Sequence, residues 1–266
     1  KGTHRAVLER LVEFGPPVWV DLKGRQLRVV GSAVPPFTEV RVSHPITVRT
    51  PAHAFFSDGL EHARILEVDG DRLILEDSPR RVVGPGESIN IVDPSLEIAG
   101  TLTDTDRAYL AAMGELGLTR VMLSYVERLG DVEEVRELLP AAELVLKIES
   151  RRGLEFVRGF GAKQGRLMAA RGDLYIEVLE PHRVLRALRD IISADTDAIV
   201  ASRVLGSLAE NAVPSSADIS DVAYLISLGY RTFMLGDEVC LRRDSVIAAL
   251  NLLGAIAAEE DRRGTP

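Results

Sequence analysis

Two short segments of the chain put carboxylates and a lysine where chemistry is possible. Leu144-Val145-Leu146-Lys147-Ile148-Glu149 is an apolar run that ends in charge, and Leu167-Met168-Ala169-Ala170-Arg171-Gly172-Asp173 is a second. On an extended chain, residues two apart share a face, so Lys147 and Glu149 point the same way. Glu149 and Asp173 are hard oxygen ligands of the kind that Mg2+ or Mn2+ takes. Lys147 beside such an ion could stabilise negative charge developing on a carbonyl or phosphoryl oxygen. The Arg171-Gly172-Asp173 turn could offer main-chain N–H groups to a substrate carboxylate if it opens a helix. The same residues would also serve as a surface Lys–Glu pair followed by a Gly–Asp turn, and motif and spacing alone leave both readings open.

These segments need a frame to bring them together. Residues 152–160 read as a helix between two strands, which makes a β-α-β unit with parallel strands. Both charged ends then lie at the C-terminal ends of neighbouring strands, where barrel enzymes build their active sites. The same rhythm continues on either side. Helices are expected at 5–14, 103–117, 131–139, 182–192, 218–228 and 243–260. Six barrel-type strands start near Val18, Val121, Leu144, Arg166, Ala198 and Arg231. The expected fold class is α/β, a (β/α)8 TIM-type barrel that is two strands short at its N-terminus.

Between 25 and 92 the character changes. Short alternating segments at 27–30, 38–42, 46–49, 62–68, 72–76 and 87–91 are punctuated by Pro35-Pro36, Pro51, Asp69-Gly70-Asp71 and Pro79. This predicts a compact β insert, with 25–92 as one domain and 1–24 with 93–266 as the barrel. His44, His53 and His62 within it show no zinc-like spacing and read as surface or internally bonded groups. Trp19, the single tryptophan, reads as core.

Composition narrows the function classes. A chain of 266 residues suffices for one barrel and a small insert. A net charge of -8 without a long basic run argues against general nucleic-acid binding. Cys240 is the only cysteine and has no partner for an internal disulfide, which fits a reducing cytoplasm. No apolar run reaches membrane-spanning length and no signal peptide is visible, so no membrane partner is expected.

The motifs carry a resemblance. Lys147-Ile148-Glu149 followed by Ala170-Arg171-Gly172-Asp173-Leu174 closely resembles a pair of motifs in pyruvate kinases. Asp21-Leu22-Lys23-Gly24 with Leu27-Arg28 is similar to the family's Asp-Thr-Lys-Gly-Pro-Glu-Ile-Arg. Ser124-Tyr125-Val126 with Asp131-Val132 resembles its Ser-Phe-Val and Asp-Val. Ala201-Ser202-Arg203-Val204-Leu205, Ser220-Asp221-Val222-Ala223 and Met234-Leu235-Gly236-Asp237-Glu238 follow in the family's order. Lys1-Gly2-Thr3-His4 resembles the middle of an Asn-Phe-Ser-His-Gly-Thr-His motif, and the family places two strands and a helix before it. The family's C-terminal regulatory domain has no counterpart here, and the insert matches its mobile β lid in position.

The resemblance implies transfer of a phosphoryl group from phosphoenolpyruvate to ADP, giving pyruvate and ATP. It implies that Lys147 stabilises the transferring phosphoryl and the enolate oxygen, and that Glu149 and Asp173 hold Mg2+ or Mn2+. It places the substrate carboxylate against Arg171, Gly172, Asp173 and the hydroxyl of Ser202, where the family has Thr. It assigns Arg28 and His4 to the nucleotide side, and it suggests a homotetramer. Three departures stand out. Leu22 replaces a hydroxyl residue that helps bind K+, and Arg25 nearby could place a fixed charge where that ion would sit, so K+ use is in doubt. Glu87-Ser88-Ile89-Asn90 stands where many members have Lys-Gly-Val-Asn, and Gly236-Asp237 replaces Ser-Gly. Two other readings remain: a metal-dependent lyase or aldolase acting on pyruvate or oxaloacetate through an enolate, and a catalytically silent barrel.

Overall fold

The computed structural model describes residues 3–56, 59 and 61–263. Lys1, Gly2 and the last three residues, Gly264-Thr265-Pro266, lie outside the described residues. Helix α1 (His4–Val12) starts on Thr3, whose hydroxyl accepts from the Ala6 N–H at 3.3 Å. It leads into β1 (Val20–Leu22), whose Leu22 is fully buried.

After β1 the chain enters an antiparallel unit. Its strands are β2 (Glu39–Arg41), β3 (Ile46–Thr47), β4 (Ala52–Phe56), β5 (Glu61–Asp69), β6 (Arg72–Leu75), β7 (Ile89–Ile91) and β8 (Glu97–Ile98). Five of them form a sheet in the order β2-β6-β5-β4-β7, and β3 pairs with β8. Asp69 pairs with Arg72 across the turn at Gly70, the hairpin the sequence signalled. Inward residues of these strands build a separate apolar core from Leu27 to Ile98. Three details differ from the sequence reading. The segment 27–30 contributes only isolated bridges, and β4, passed over behind Pro51, lies inside the sheet between β5 and β7. The β3–β8 pair also carries the unit past residue 92.

The chain then alternates helix and strand. Helix α2 (Asp104–Leu116) opens with a capping box in which Thr103 and Asp106 exchange hydrogen bonds, and it closes on Gly117 in the left-handed region. Next come β9 (Arg120–Leu123), α3 (Leu129–Leu138), β10 (Glu143–Ile148), α4 (Arg151–Phe160), β11 (Arg166–Ala170), α5 (Arg171–Glu177), α6 (Val184–Ala194) and β12 (Ile199–Ala201). Helix α7 (Ser216–Leu228), β13 (Thr232–Met234), α8 (Asp237–Cys240) and α9 (Arg243–Arg263) complete the described chain. Helix α3 begins two residues before Asp131, which caps it from the third helical position by accepting from the Arg128 N–H at 3.1 Å.

All six strands expected for a barrel form one parallel sheet, in the order β1-β9-β10-β11-β12-β13. Lys147 pairs with Met168 and Leu146 with Leu123, so the C-terminal ends of the strands stay aligned. Leu123, Leu146, Leu167 and Val200 are fully buried under the helices, each worth about 1.5–3 kcal/mol against exposure. Trp19, Met122 and Met234 pack on a second small cluster, Val145, Met168, Ile199 and Ala201, on the inner face of the sheet. This is an α/β fold with a parallel, curled half-barrel sheet. Among the described residues no helix is long and apolar enough to cross a membrane.

Candidate active site

Because the six strands are parallel, every loop that leaves a C-terminal end reaches the same side. Asp21 comes from β1, Ser124 and Tyr125 follow β9, and Lys147 and Glu149 sit at the end of β10. Asp173 lies in the first turn of α5, directly after β11, and Ser202 follows β12. Left-handed backbone clusters at the same ends, at Tyr125 (φ 53), Ser202 (φ 67) and Arg203 (φ 55). Side chains other than glycine rarely adopt this region, and it concentrates at functional sites.

Lys147 is buried and donates to Ser124 Oγ at 2.8 Å and to Asp21 Oδ1 at 3.1 Å. Its Nζ lies 3.6 Å from Glu149 Oε1. Burial pulls the ammonium toward its neutral form, but Glu149 and Asp21 outweigh that and hold its pKa above the ordinary lysine value. Glu149 is enclosed as well. Burial, joined by the charge of Asp173, lifts its carboxyl to about 7 against the pull of Lys147. Its other oxygen accepts from the Tyr125 N–H at 2.7 Å.

Asp173 is held from the antiparallel unit. Gln26 Nε2 donates to its Oδ2 at 2.8 Å, and Asn90 Nδ2 to its Oδ1 at 3.0 Å. Asn90 also donates to the Tyr125 hydroxyl and lies 3.4 Å from Glu177 Oε1. Burial raises the Glu177 carboxyl to about 8. Strand alternation explains the reach: Ile89 and Ile91 point into the unit's own core, so Asn90 between them faces the parallel sheet. Leu27 and Val29 do the same beside Gln26 and Arg28.

The turn after β1 is built for close approach. Gly24 has φ +52, and a Cβ there would stand 2.5 Å from the Ser124 carbonyl oxygen, so a side chain cannot fit without moving backbone. The Lys23 and Gly24 N–H groups donate to the Asp106 carboxylate at 2.9 and 3.1 Å. The start of α2 thus fixes the Asp21 segment under Lys147.

The residues expected at the site therefore separate into groups. Lys147, Glu149 and Asp173 come together, with Ser202 near them: its Oγ would lie 3.5 Å from a Cβ on Gly172. Helix α5 does open at Arg171, with no side-chain cap. The guanidinium of Arg171, however, is turned away. It donates to both oxygens of Asp221, at 2.7 and 2.8 Å, and to the Ser202 and Arg203 carbonyls. Expected at the substrate, it instead ties the strained Ser202 segment to α7. His4 lies against the Tyr109 ring of α2, with centroids 4.3 Å apart, and no hydrogen bond joins it to the cluster among the described residues. Arg28 donates to Gln26 Oε1 and to the Gly86 carbonyl at 3.0 Å, and its buried Nε has no partner.

Arg25 also departs from expectation. Its guanidinium is buried at the junction of the two sheets, donating to the Gly100 and Ile98 carbonyls at 2.8 and 3.0 Å. Glu127 and Asp131 are its ionic neighbours, at 3.7 and 3.8 Å. It is a clamp on the chain leaving β8 and no stand-in for a mobile cation beside Asp21. Leu22 contributes a fully buried side chain, and its carbonyl accepts from the Ser124 N–H at 3.1 Å. Gln26, Asn90, Tyr125 and Ser124 are the members of the site that sequence reasoning left without a role. They lie inside the quoted motif segments, but only the three-dimensional contacts single them out.

The donor set suits a small hard cation. The charge of Asp173 reaches Glu149 and helps to raise its carboxyl. Mg2+ characteristically takes one or two carboxylates and completes its shell with substrate oxygens and water. Among the described residues, no group of three or more His, Cys, Asp or Glu gathers as a protein-only metal cage. Glu149 and Asp173 are the two carboxylates that could hold such an ion.

Comparisons with known proteins agree with one another. The family model for the pyruvate kinase barrel domain matches residues 43–241. A pyruvate kinase of Methanocaldococcus jannaschii is 25% identical over 266 residues, spanning 90% of this chain and 58% of that protein. One from Agrobacterium vitis is 34% identical over 186 residues, 68% of this chain and 38% of that protein. The chain thus spans little more than half the length of such relatives, or less. The crystal structure of a pyruvate kinase from Cryptosporidium parvum superposes with a TM-score of 0.76 at 18% identity, covering 97% of this chain and 62% of that one. That likeness supports the fold, and the match over 43–241 identifies the lineage: the chain belongs to the pyruvate kinase family.

Proposed function

We propose that the protein transfers a phosphoryl group from phosphoenolpyruvate to ADP, giving pyruvate and ATP with Mg2+ or Mn2+. The observation that carries this reading is the buried Lys147 ammonium set between Asp21, Ser124 and Glu149 beside Asp173. In the reaction the bond from phosphorus to the enol oxygen breaks, and a bond to a terminal oxygen of ADP forms. The enolate left behind takes a proton at its methylene carbon. Lys147 stabilises the negative charge that moves between these oxygens, in a setting where water does not screen it. A cation held by Glu149 and Asp173, when bound, neutralises charge on substrate oxygens. Ser202 and the N–H groups at the start of α5 receive the substrate carboxylate, with Arg171 holding Ser202 in place.

On this reading the antiparallel unit, which extends from residue 25 through β8, forms a lid over the nucleotide side, and the parallel sheet with its helices forms a barrel that two further strands would close to eight. Arg28, linked through Gln26 to Asp173, is the lid's candidate for the nucleotide phosphates. Glu87 pairs with Arg81, which keeps a cation on the lid segment where many relatives carry lysine. A homotetramer and a cytoplasmic location follow from the family alone. The test is Mg2+-dependent ATP formation from phosphoenolpyruvate and ADP by the purified protein. Cleavage of oxaloacetate or an aldol substrate without ATP formation would favour the lyase reading instead.

A further inference from the structure

Tyr125 holds one carboxylate directly and touches a holder of the other. Its left-handed backbone presents its N–H to Glu149 Oε2 at 2.7 Å. Its ring extends to the other side of the site, where the hydroxyl accepts from Asn90 Nδ2. The same amide donates to Asp173 Oδ1 at 3.0 Å. Gln26 completes the arrangement on Asp173 Oδ2 at 2.8 Å. The two amides come from the two arms of the antiparallel unit, Gln26 just after β1 and Asn90 on β7. An ionised carboxylate has about four acceptor positions. Two amide donors leave each oxygen a free lone pair and fix the direction in which it points. The motif that Tyr125 belongs to has phenylalanine at this position in the family it resembles. A phenyl ring would fill the same space and lack the one atom that Asn90 reaches.

From these contacts we propose that Tyr125 is a positioning residue, whose hydroxyl, through Asn90, orients Asp173 and keeps the antiparallel unit docked on the parallel sheet. Divalent cation affinity then depends on whether the unit is docked, and by linkage a bound cation favours docking. The coupling to a cation rests on the reading that Glu149 and Asp173 hold it; the docking contact does not. Glu177 Oε1 lies farther from the same amide nitrogen, at 3.4 Å, and the two N–H groups of Asn90 are taken by Tyr125 and Asp173.

The experiment compares wild type, Tyr125→Phe, Asn90→Ala and the double variant by two readouts. The first is amide hydrogen exchange at 26–28 and 88–91 without metal. Tyr125→Phe should speed exchange in both arms by about three- to tenfold, the size of one net hydrogen bond. The double variant should add little to Asn90→Ala, because both remove the same contact. The second readout is Mn2+ titration followed by electron paramagnetic resonance. Affinity should fall by a similar factor in Tyr125→Phe, while the melting temperature moves by a few degrees at most. Unchanged exchange in the arms, or additive effects in the double variant, would overturn the docking role. Faster exchange with unchanged Mn2+ affinity would overturn the coupling. Failure of wild type to bind Mn2+ would overturn the metal assignment, and the exchange data would still decide the docking role.

Discussion

Lys147→Met keeps the apolar stem and removes the charge, so its consequences can be worked from the geometry. Glu149 is buried 3.6 Å from the ammonium, and its carboxyl already sits at about 7. Two unit charges at that separation interact by roughly 4–5 kcal/mol at an effective dielectric of about 20. About 1.4 kcal/mol is a factor of ten in proton affinity. Loss of the lysine therefore raises the proton affinity of Glu149 by up to about a thousandfold. The sign is definite, since losing a neighbouring cation disfavours the carboxylate. A cation needs Glu149 ionised, so its binding releases a proton below the carboxyl's pKa. In wild type, Mn2+ affinity should fall as pH drops through about 7. In Lys147→Met that fall should begin at distinctly higher pH, with affinity recovering toward alkaline pH. Turnover with phosphoenolpyruvate and ADP should drop by about a thousandfold or more, even where Mn2+ is bound. The assays are Mn2+ titrations across pH and a coupled kinetic measurement on folded variant. Superimposable pH profiles for the two proteins would refute the electrostatic account, and near-normal turnover would make the lysine structural.

Other expectations follow from single contacts. Glu149→Ala and Asp173→Ala should each lower Mn2+ affinity by an order of magnitude or more, because each removes one of only two carboxylate ligands; wild-type binding in either would displace the site. Arg25→Met should destabilise the protein by about 1–3 kcal/mol in chemical denaturation, since it frees the Ile98 and Gly100 carbonyls at a buried junction. The same variant should show no new K+ requirement at constant ionic strength, and one appearing would restore Arg25 to the cation's place. Glu177 is protonated in the fold up to about pH 8, whereas an unfolded glutamate ionises near 4.5. Its neutral burial therefore costs increasing stability as pH rises between those values. Glu177→Gln should gain stability relative to wild type over that window and level off above it, as followed by thermal unfolding; a flat difference would contradict the shift.

Much of the frame was legible in sequence because it is local. Each of the six strands is an apolar run between helical periods, and capping residues such as Thr103 mark where helices begin. The convergence of Lys147, Glu149 and Asp173 was legible because strand alternation and a parallel frame together fix where they end up. Strand β4 escaped because Ala52-His53-Ala54 alternates small and polar residues behind a proline, and its place in the sheet comes from partners on either side. Arg171 and Arg25 escaped for a related reason. A guanidinium next to a motif reads as a ligand contact, yet its direction is set by Asp221 in one case and by the Ile98 and Gly100 carbonyls in the other. Gln26 and Asn90 meet Asp173 across 147 and 83 residues of sequence, a closure that no periodicity records.

The central claim is that Glu149, Asp173 and Lys147 act together on an enolate oxygen. It is tested most directly by proton exchange at the methyl group of pyruvate in deuterated water, followed by nuclear magnetic resonance. Exchange should require Mg2+ or Mn2+ in the purified protein and should be lost in Asp173→Ala and in Lys147→Met. Exchange that proceeds equally without the metal, or that survives either substitution, would contradict the account.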